Sequence, residues 1–211
     1  MRTDDLIRAL AQDGQKGRPP ARALSMALVA SLPVALLLFL VILGPRPDFA
    51  TALENLRFPL KFVLTLALAA PALALAAVLA RPGAAWRGRA RWLLLAPALL
   101  LVAVAVELAV TPAAEWSARW IGHNWLVCLG AIPLLSLAPL AGLLIALRDG
   151  APTRPGLAGA VAGLAAGALG ATFYAAHCPD DSPLFVATWY VVAIGLVTIA
   201  GAALGSRLLR W

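Results

Sequence analysis

Residues 24–44 read LSMALVASLPVALLLFLVILG, a continuous run without a charged side chain. A helix needs about 20 apolar residues to cross the hydrocarbon core of a bilayer, so this run predicts a membrane-spanning helix. Its apolar residues are contiguous and do not alternate with polar ones, which excludes a strand of a transmembrane β-barrel. Backbone groups in lipid have to be hydrogen-bonded within the protein, and a helix meets that requirement by itself.

The composition of the whole chain points the same way. The chain is 62% hydrophobic and 13% charged, with a mean hydropathy of +0.88. Soluble domains average about 45–50% apolar and about 25% charged residues, so a polytopic membrane protein is indicated. The formal net charge is +7. Arginine in cytoplasmic loops explains this charge better than nucleic-acid binding does, and we expect no direct contact with nucleic acid.

Six apolar runs follow one another, separated by short links rich in Pro, Arg and Asp. They predict an all-α fold, with a six-helix transmembrane domain over residues 24–206. Residues 1–23 form a soluble tail, and residues 207–211 a short polar end. The predicted spans are Leu24–Gly44, Phe58–Ala80, Trp92–Thr111, Trp125–Leu147, Leu157–Ala176 and Leu184–Leu204.

The basic residues predict the orientation of these helices. Arg46, Arg57, Lys61 and Arg119 lie on one side, and the other 13 of the 17 lysines and arginines lie on the opposite side. The positive-inside rule therefore places both termini in the cytoplasm. Glycines also predict close helix packing, because small residues four apart let backbones approach. They are Gly159, Gly163, Gly167 and Gly170 in the fifth run and Gly201 and Gly205 in the sixth.

The two cysteines of the chain, Cys128 and Cys178, fall on the outer side in this topology. The two histidines are near them: His123 precedes Cys128 by five residues, and His177 precedes Cys178 directly. In an oxidising compartment the thiols can form a disulfide. As thiolates, together with His123 and His177, they are ligands for a soft metal ion. The alternative is that each is a small buried hydrophobe. The following Asp180-Asp181 adds oxygen ligands or forms a solvated loop.

Two intramembrane charges are candidates for an ion pair. Lys61 and Glu107 each lie about one turn inside the outer end of their span, at matching depth on neighbouring antiparallel helices. An unpaired charge at depth costs about 2.5–3.5 kcal/mol, so we expect the two to pair. The alternative is that both side chains extend to the interface.

The N-terminal tail has the pattern of a short amphipathic helix. Thr3 can cap it, and Asp4 and Asp5 suit the positive end of its dipole. Leu6, Ile7 and Leu10 then share one face. This face either binds in a groove of a partner protein or lies on the anionic membrane surface.

Several stretches resemble one known family. Residues 1–11, MRTDDLIRALA, resemble the N-terminal signature of the NrsF family of membrane anti-sigma factors. The resemblance spans the whole chain. It continues through GAPTRP (150–155), AGA (158–160), YAAHC (174–178), DSPLF (181–185), WY (189–190) and GSRLLRW (205–211).

The resemblance implies a protein of the bacterial inner membrane that is not an enzyme. Members restrain an extracytoplasmic-function sigma factor of the sigma-F type through a cytoplasmic N-terminus, here Thr3, Asp4, Asp5, Leu6, Ile7 and Leu10. The family also implies a cysteine pair for the response to heavy-metal stress, which matches Cys128 and Cys178. No cofactor is expected beyond a transient soft metal ion at this pair.

Two other functions fit a six-helix bundle. A small-molecule or ion transporter predicts polar residues at the membrane midplane and inverted repeats, and the chain shows neither convincingly. A passive bundle that supports another membrane complex is the third reading. The sequence does not set the oligomeric state.

Overall fold

Six long apolar helices account for most of this computed structural model, which describes Thr3, Asp5 and residues 20–210. Each is long and apolar enough to cross a membrane. No strand occurs in the described part of the chain. The predicted six-helix fold is therefore confirmed, while the predicted tail helix lies outside the described residues, Thr3 and Asp5 apart. The helices are α1 (Pro20–Ile42), α2 (Arg57–Leu79), α3 (Arg87–Val110), α4 (Trp125–Arg148), α5 (Pro155–Ala175) and α6 (Pro183–Leu208).

Two helix starts differ from the predicted spans or from regular geometry. α3 begins at Arg87, ahead of the predicted Trp92, and passes through a 3₁₀ segment at Arg91–Leu94. Arginines are accommodated there because their long side chains can reach the membrane interface. α6 contains a π-helical turn at Val186–Tyr190. π-Helical turns are rare in proteins, and those that do occur are often found at functional sites.

The links divide between two ends of the bundle. We call the end that holds residues 43–56, 111–124 and 176–182 the cysteine end, because Cys178 lies in the last of these links and Cys128 in the first turn of α4. Short helices at Phe49–Ala52 and Trp116–Ile121 lie at this end. The opposite end holds residues 80–86 and 149–154 and the end of α6, and we call it the arginine end.

α5 is the central helix. It packs against α6, α4 and α2. In its most apolar 18-residue stretch, 61% of the residues are buried inside the protein. α1 and α3 lie at the periphery, with 17% and 11% buried. α5 also has the lowest hydropathy of the six helices, 1.6. A helix surrounded by protein needs less apolar surface toward lipid than a peripheral helix does.

Three of the four predicted glycines of α5, Gly159, Gly163 and Gly167, meet α6, whereas Gly170 packs against Ser136 and Ile132 of α4. A Cβ atom on Gly163 would lie 2.5 Å from the carbonyl oxygen of Val197 on α6, and one on Gly205 would lie 2.6 Å from Cα of Gly159. Real Cβ atoms essentially never come that close, so the two backbones are in direct contact. Close approach of this kind is what small residues provide in membranes. The prediction of close helix packing is confirmed.

Candidate functional site

Both cysteines are completely buried at the cysteine end. Cys128 and Cys178 are each 0% exposed, belong to one hydrophobic cluster and are free thiols. Cys128 lies in the first turn of α4, while Cys178 lies in the link between α5 and α6. We call residues 176–182 the cysteine link. Burial raises the pKa of the Cys178 thiol, an effect that the positive charge of Lys61 partly offsets.

The cysteine link is bound first to the segment that follows α1. The backbone N–H of Arg46 donates to the carbonyl of Ala176 at 3.0 Å. The ring Nδ1 of His177 lies 3.0 Å from the carbonyl oxygen of Gly44. Both contacts join residues that flank Cys178 to the end of α1. α1 therefore cannot move at this end without disturbing the cysteine link.

Asp181 binds the cysteine link to two basic side chains. Its carboxylate accepts hydrogen bonds from Arg46 Nη1 at 2.9 and 3.1 Å and lies 2.6 Å from Lys61 Nζ. Arg46 also pairs with Asp48. The hydrogen bond to Asp48 and the proximity of Asp181 raise the pKa of Arg46, so this guanidinium stays charged. Asp181 is thus the common partner of α2 and of the segment after α1.

Lys61 makes two contacts with the cysteine link at once. Besides Asp181, it donates to the backbone carbonyl of Cys178 at 2.7 Å. Only 1% of Lys61 is exposed, and the Phe58 ring lies 5.2 Å from its ammonium and 5.2 Å from the Arg46 guanidinium. Burying an ammonium group requires this kind of compensation, because each unpaired charge is costly.

Asp180 binds the same link to the start of α4. Its carboxylate accepts from the backbone N–H of Asn124 at 2.9 Å and of His123 at 3.2 Å, and from the Asn124 side chain. A carboxylate at a helix N-terminus satisfies free N–H groups and suits the helix dipole. Gly122 precedes this turn with φ +62°, and a Cβ there would lie 2.5 Å from the Phe185 ring. Glycine is therefore required at this position.

The predicted ion pair between Lys61 and Glu107 is not formed. Glu107 is 3% exposed and pairs with Arg57 at 2.9 Å and with Arg119 at 3.0 Å, while Lys61 pairs with Asp181. Both charges are buried and compensated, as their depth required, but their partners are different. The reason is that the links at the cysteine end fold back over the helix ends and supply Asp181 and Arg119.

Two tyrosines pack in the same buried cluster as the thiols. Tyr174 and Tyr190 belong to the same cluster as the cysteines, with ring centroids 5.7 Å apart. The Tyr174 hydroxyl donates to the carbonyl of Asn124 at 3.2 Å. The Tyr190 hydroxyl is buried and has no hydrogen-bond partner among the described residues. An unpaired buried hydroxyl is uncommon and costs free energy, and this one lies at the end of the π-helical turn of α6.

The histidines do not join the cysteines in a metal site. The side chain of His123 is 94% exposed and lies 3.6 Å from Asp180, while His177 contacts Gly44. No group of three or more His, Cys, Asp or Glu side chains in the described residues is arranged to hold a metal ion. The two thiols remain together in one cluster, and the four predicted ligands are not gathered around one point.

α1 is held in the bundle by the two elements that carry the cysteines. It packs mainly against α4, which carries Cys128, and makes few contacts with α5 and α2. At its end it is bound to the cysteine link, which carries Cys178. The other end of α1 begins at Pro20, directly after residues 1–19. The two elements that carry the cysteines are therefore in direct contact with the helix that follows residues 1–19.

Several residues of this site could not be identified from the sequence. Arg46 was predicted only to lie on the side of the membrane opposite most basic residues, and Tyr190 appeared only in the family resemblance. The sequence predicts either metal ligation or a solvated loop for Asp180 and Asp181, but their side chains are only 12% and 13% exposed and bind protein groups. Their partners are distant in the sequence. The presence of Arg46 and Lys61 on the same predicted side was the one available signal.

Comparison with known proteins gives a consistent result. The model of a family described as "Negative regulator of sigma F" matches residues 10–211. The chain is 40% identical to the anti-sigma-F factor NrsF of Caulobacter vibrioides, with all of both chains covered. It is 36% identical to the probable anti-sigma-F factor NrsF of Azospira oryzae, again over both full lengths. No solved structure shows significant similarity to the chain.

Proposed function

The chain belongs to the family of negative regulators of sigma F, and on that premise we propose that it senses stress through its cysteines. In this proposal it is an anti-sigma factor of the bacterial inner membrane that binds an extracytoplasmic-function sigma factor with its N-terminal tail. Heavy-metal or oxidative stress at the cysteine end then releases the sigma factor. The role is regulatory and involves no catalysis.

The attachment of α1 is the observation that supports this coupling best. α1 connects the tail to the cysteine end, and it is held there by α4 and by the cysteine link. Only 17% of the residues in its most apolar stretch are buried inside the protein, so α1 is one of the two helices with the least contact to the rest of the bundle. A shift of α4 relative to the cysteine link therefore changes the position of α1 more readily than that of the central α5.

The chemistry at the thiols supplies such a shift. A soft divalent cation replaces the two thiol protons of Cys128 and Cys178 and binds both sulfurs as thiolates, releasing two protons. Alternatively, an oxidant such as hydrogen peroxide takes two electrons and two protons from the pair, leaving a disulfide and two water molecules. Either product requires the sulfurs to approach a fixed geometry. Both changes displace the link relative to the start of α4.

The required energy is small. A coupling of about 1–3 kcal/mol between the cysteine end and the tail changes the affinity for the sigma factor about 5–150-fold. The polar contacts of the cysteine link with Arg46, Lys61 and Asn124 are buried or half-buried. The loss of one of these contacts would supply a free-energy change of that size, because a hydrogen bond to a charged group contributes about 1.5–3 kcal/mol.

Co-purification tests the proposal directly. The full-length protein is isolated from membranes with and without cadmium, and the bound sigma factor is quantified. We expect the sigma factor to co-purify and to be released by the metal in the wild type. Replacing Leu6 and Leu10 by Asp should abolish binding, because charge enters an apolar contact. Binding that persists at a normal protein level would remove the tail from the interface.

The sensor is tested with Cys128→Ser and Cys178→Ser, singly and together. The double variant should retain the sigma factor in the presence of cadmium. His123→Gln is the matched control, since its side chain is exposed and lies outside the buried cluster. Release from the double variant at the wild-type cadmium concentration would show that the cysteines are packing residues only, while leaving the anti-sigma role intact.

A further inference from the structure

The two ends of the bundle differ in how their charges are compensated. All six ion pairs that lysine or arginine forms among the described residues lie at the cysteine end. At the arginine end, Asp149 is the one carboxylate within residues 20–23, 80–91, 148–155 and 206–210, and it forms no ion pair with another described residue. The exposed arginines beyond α1 at this end are Arg81, Arg87, Arg89, Arg91, Arg148, Arg154, Arg207 and Arg210.

Two of these arginines are held together on a tryptophan. The guanidinium of Arg87 lies 5.9 Å from the centre of the Trp86 ring, and that of Arg154 lies 5.6 Å from it. They come from different parts of the chain: Arg87 is the first residue of α3, and Arg154 is the last residue of the link between α4 and α5. Cation–π contacts of this kind orient a guanidinium and leave its N–H groups free to bind an anion.

Backbone packing fixes the relative position of these two parts of the chain. A Cβ on Gly150 would lie 2.5 Å from the carbonyl oxygen of Ala80, so the link between α4 and α5 lies directly on the end of α2. Ala151 has a positive φ of 48°, an uncommon conformation for a non-glycine residue. Pro152 is buried. The fold therefore places Arg154 against Trp86. The general enrichment of basic residues in cytoplasmic loops does not explain this contact, because it concerns only the side of the membrane on which an arginine lies.

An apolar cleft runs along α3, and its lining on that helix begins at Leu93, six residues after Arg87. Its volume is about 480 Å³. It lies between α3, the least buried helix, and the faces of α2 and α6, and Leu93, Ala96 and Leu100 line its α3 side. Leu93 is two residues from Arg91, so the cleft approaches the arginine end. Gly195 of α6 also lines it, and a Cβ on this residue would meet nothing within 4 Å.

We propose that the arginine end and this cleft bind one anionic phospholipid. Arg87 and Arg154 bind the phosphate of the headgroup, and one acyl chain lies in the cleft along α3. The guanidinium group matches phosphate oxygens with two parallel hydrogen bonds. Basic pockets between transmembrane helices are known sites for anionic headgroups, and an apolar cleft open to the bilayer accepts a chain. The arginines of this site lie at the opposite end of the bundle from the cysteines, while the cleft extends to Tyr190 of the cysteine cluster. The proposal does not depend on the proposed sensing function.

The test is lipid binding to the purified full-length protein in a neutral detergent, measured by native mass spectrometry. Phosphatidylglycerol and phosphatidylcholine of equal chain length are titrated. We expect phosphatidylglycerol to bind roughly tenfold more tightly, since attraction at each arginine favours the anionic headgroup. Arg87→Gln with Arg154→Gln should remove this preference. Arg207→Gln with Arg210→Gln removes the same charge at the same end and should retain it.

A second pair of variants tests the acyl-chain part of the site. Gly195→Leu fills the cleft and should weaken phosphatidylglycerol binding by about fivefold or more, through lost chain contact. Gly130→Leu adds the same side chain where a Cβ also meets nothing within 4 Å, on an exposed face of α4, and should have no effect. Both substitutions replace glycine within a helix, so neither is expected to prevent folding.

Three outcomes would overturn the proposal. Equal loss of binding in the two arginine double variants would mean diffuse attraction by surface charge. Full competition by glycerol phosphate would mean a site for a free phosphate. Retention of the lipid preference by both Arg87→Gln with Arg154→Gln and Gly195→Leu, with loss of sigma factor binding in the former, would assign the arginines to a protein interface.

Discussion

Lys61 and Asp181 form an ion pair with 2.6 Å between Nζ and Oδ1, and Lys61 is only 1% exposed. The pair joins α2 to the link that carries Cys178. The two partners are not equivalent. Asp181 has a second cationic partner in Arg46, whereas Asp181 is the one carboxylate that pairs with Lys61 in the described structure.

This asymmetry predicts unequal effects of removing each charge. Asp181→Asn leaves a buried ammonium without a counter-charge and should lower the free energy of unfolding by about 3–5 kcal/mol. Lys61→Met leaves Asp181 paired with Arg46 and should cost clearly less. The measurement is unfolding in mixed SDS micelles followed by circular dichroism. An equal cost for both variants would show that the buried ammonium does not dominate the energetics.

The unpaired hydroxyl of Tyr190 gives a second prediction. Tyr190→Phe removes a buried polar atom that has no hydrogen-bond partner among the described residues, so stability should be unchanged or slightly higher. Tyr174→Phe is the matched control. It removes the hydrogen bond to Asn124 and should cost about 0.5–1.5 kcal/mol. A large loss on Tyr190→Phe would mean that the hydroxyl has a partner outside the described residues.

The contact between α5 and α6 predicts how single methyl groups are tolerated. Gly163→Ala places a Cβ 2.5 Å from the Val197 carbonyl oxygen and should destabilise the protein by about 1–3 kcal/mol through overpacking. Gly130→Ala introduces the same methyl group into open space and should be neutral or stabilising, because alanine favours helices. The same SDS titration compares them, and indistinguishable values would contradict the close backbone contact.

The raised pKa of Cys178 predicts a pH dependence of stability. A group with a raised pKa in the folded state binds its proton more tightly there than in the unfolded state. Its contribution is complete below the ordinary thiol pKa of 9.0 and is lost as pH rises through the folded value. The free energy of unfolding should therefore fall above pH 9, and less steeply in Cys178→Ala. Parallel curves for the two proteins would show that another group causes the fall.

The distribution of the basic residues predicts the orientation of the protein in the membrane. With both termini in the cytoplasm, alkaline phosphatase fused after Trp211 should be inactive, because that enzyme requires an oxidising compartment. A fusion in the link at Gly122 should be active. The opposite pattern would place the cysteines in the reducing cytoplasm and remove external stress as their signal.

Much of the fold was predictable because membranes impose strong and local rules. The run of residues 24–44 predicts a helix by length alone. The close contact of Gly159 with Gly201 was predictable from the spacing of the glycines. Small residues repeated on one helix face let two helix backbones approach closely in a membrane. The predicted start of α3 was less accurate, because the helix extends beyond the apolar run to Arg87 and includes the arginines that follow it.

The site was less predictable because its contacts connect distant parts of the chain. The depth of Lys61 and Glu107 showed correctly that each charge needs a partner. The partners themselves, Asp181 and Arg119, come from links whose paths the helical pattern does not determine. The same holds for Asp180, which binds the start of α4. Burial of both acids follows from the link folding over the helix ends, and no local pattern encodes that.

The contact of α5 with α6 also has a consequence for biogenesis. α5 is the most enclosed helix and has the lowest hydropathy, yet α6 is made after it and is the last span of the chain. Until translation delivers α6, the glycine face of α5 has no protein surface to meet. A nascent chain interrupted before Pro183 is therefore an orphan with exposed backbone, and we expect membrane proteases to degrade it while the full-length chain accumulates.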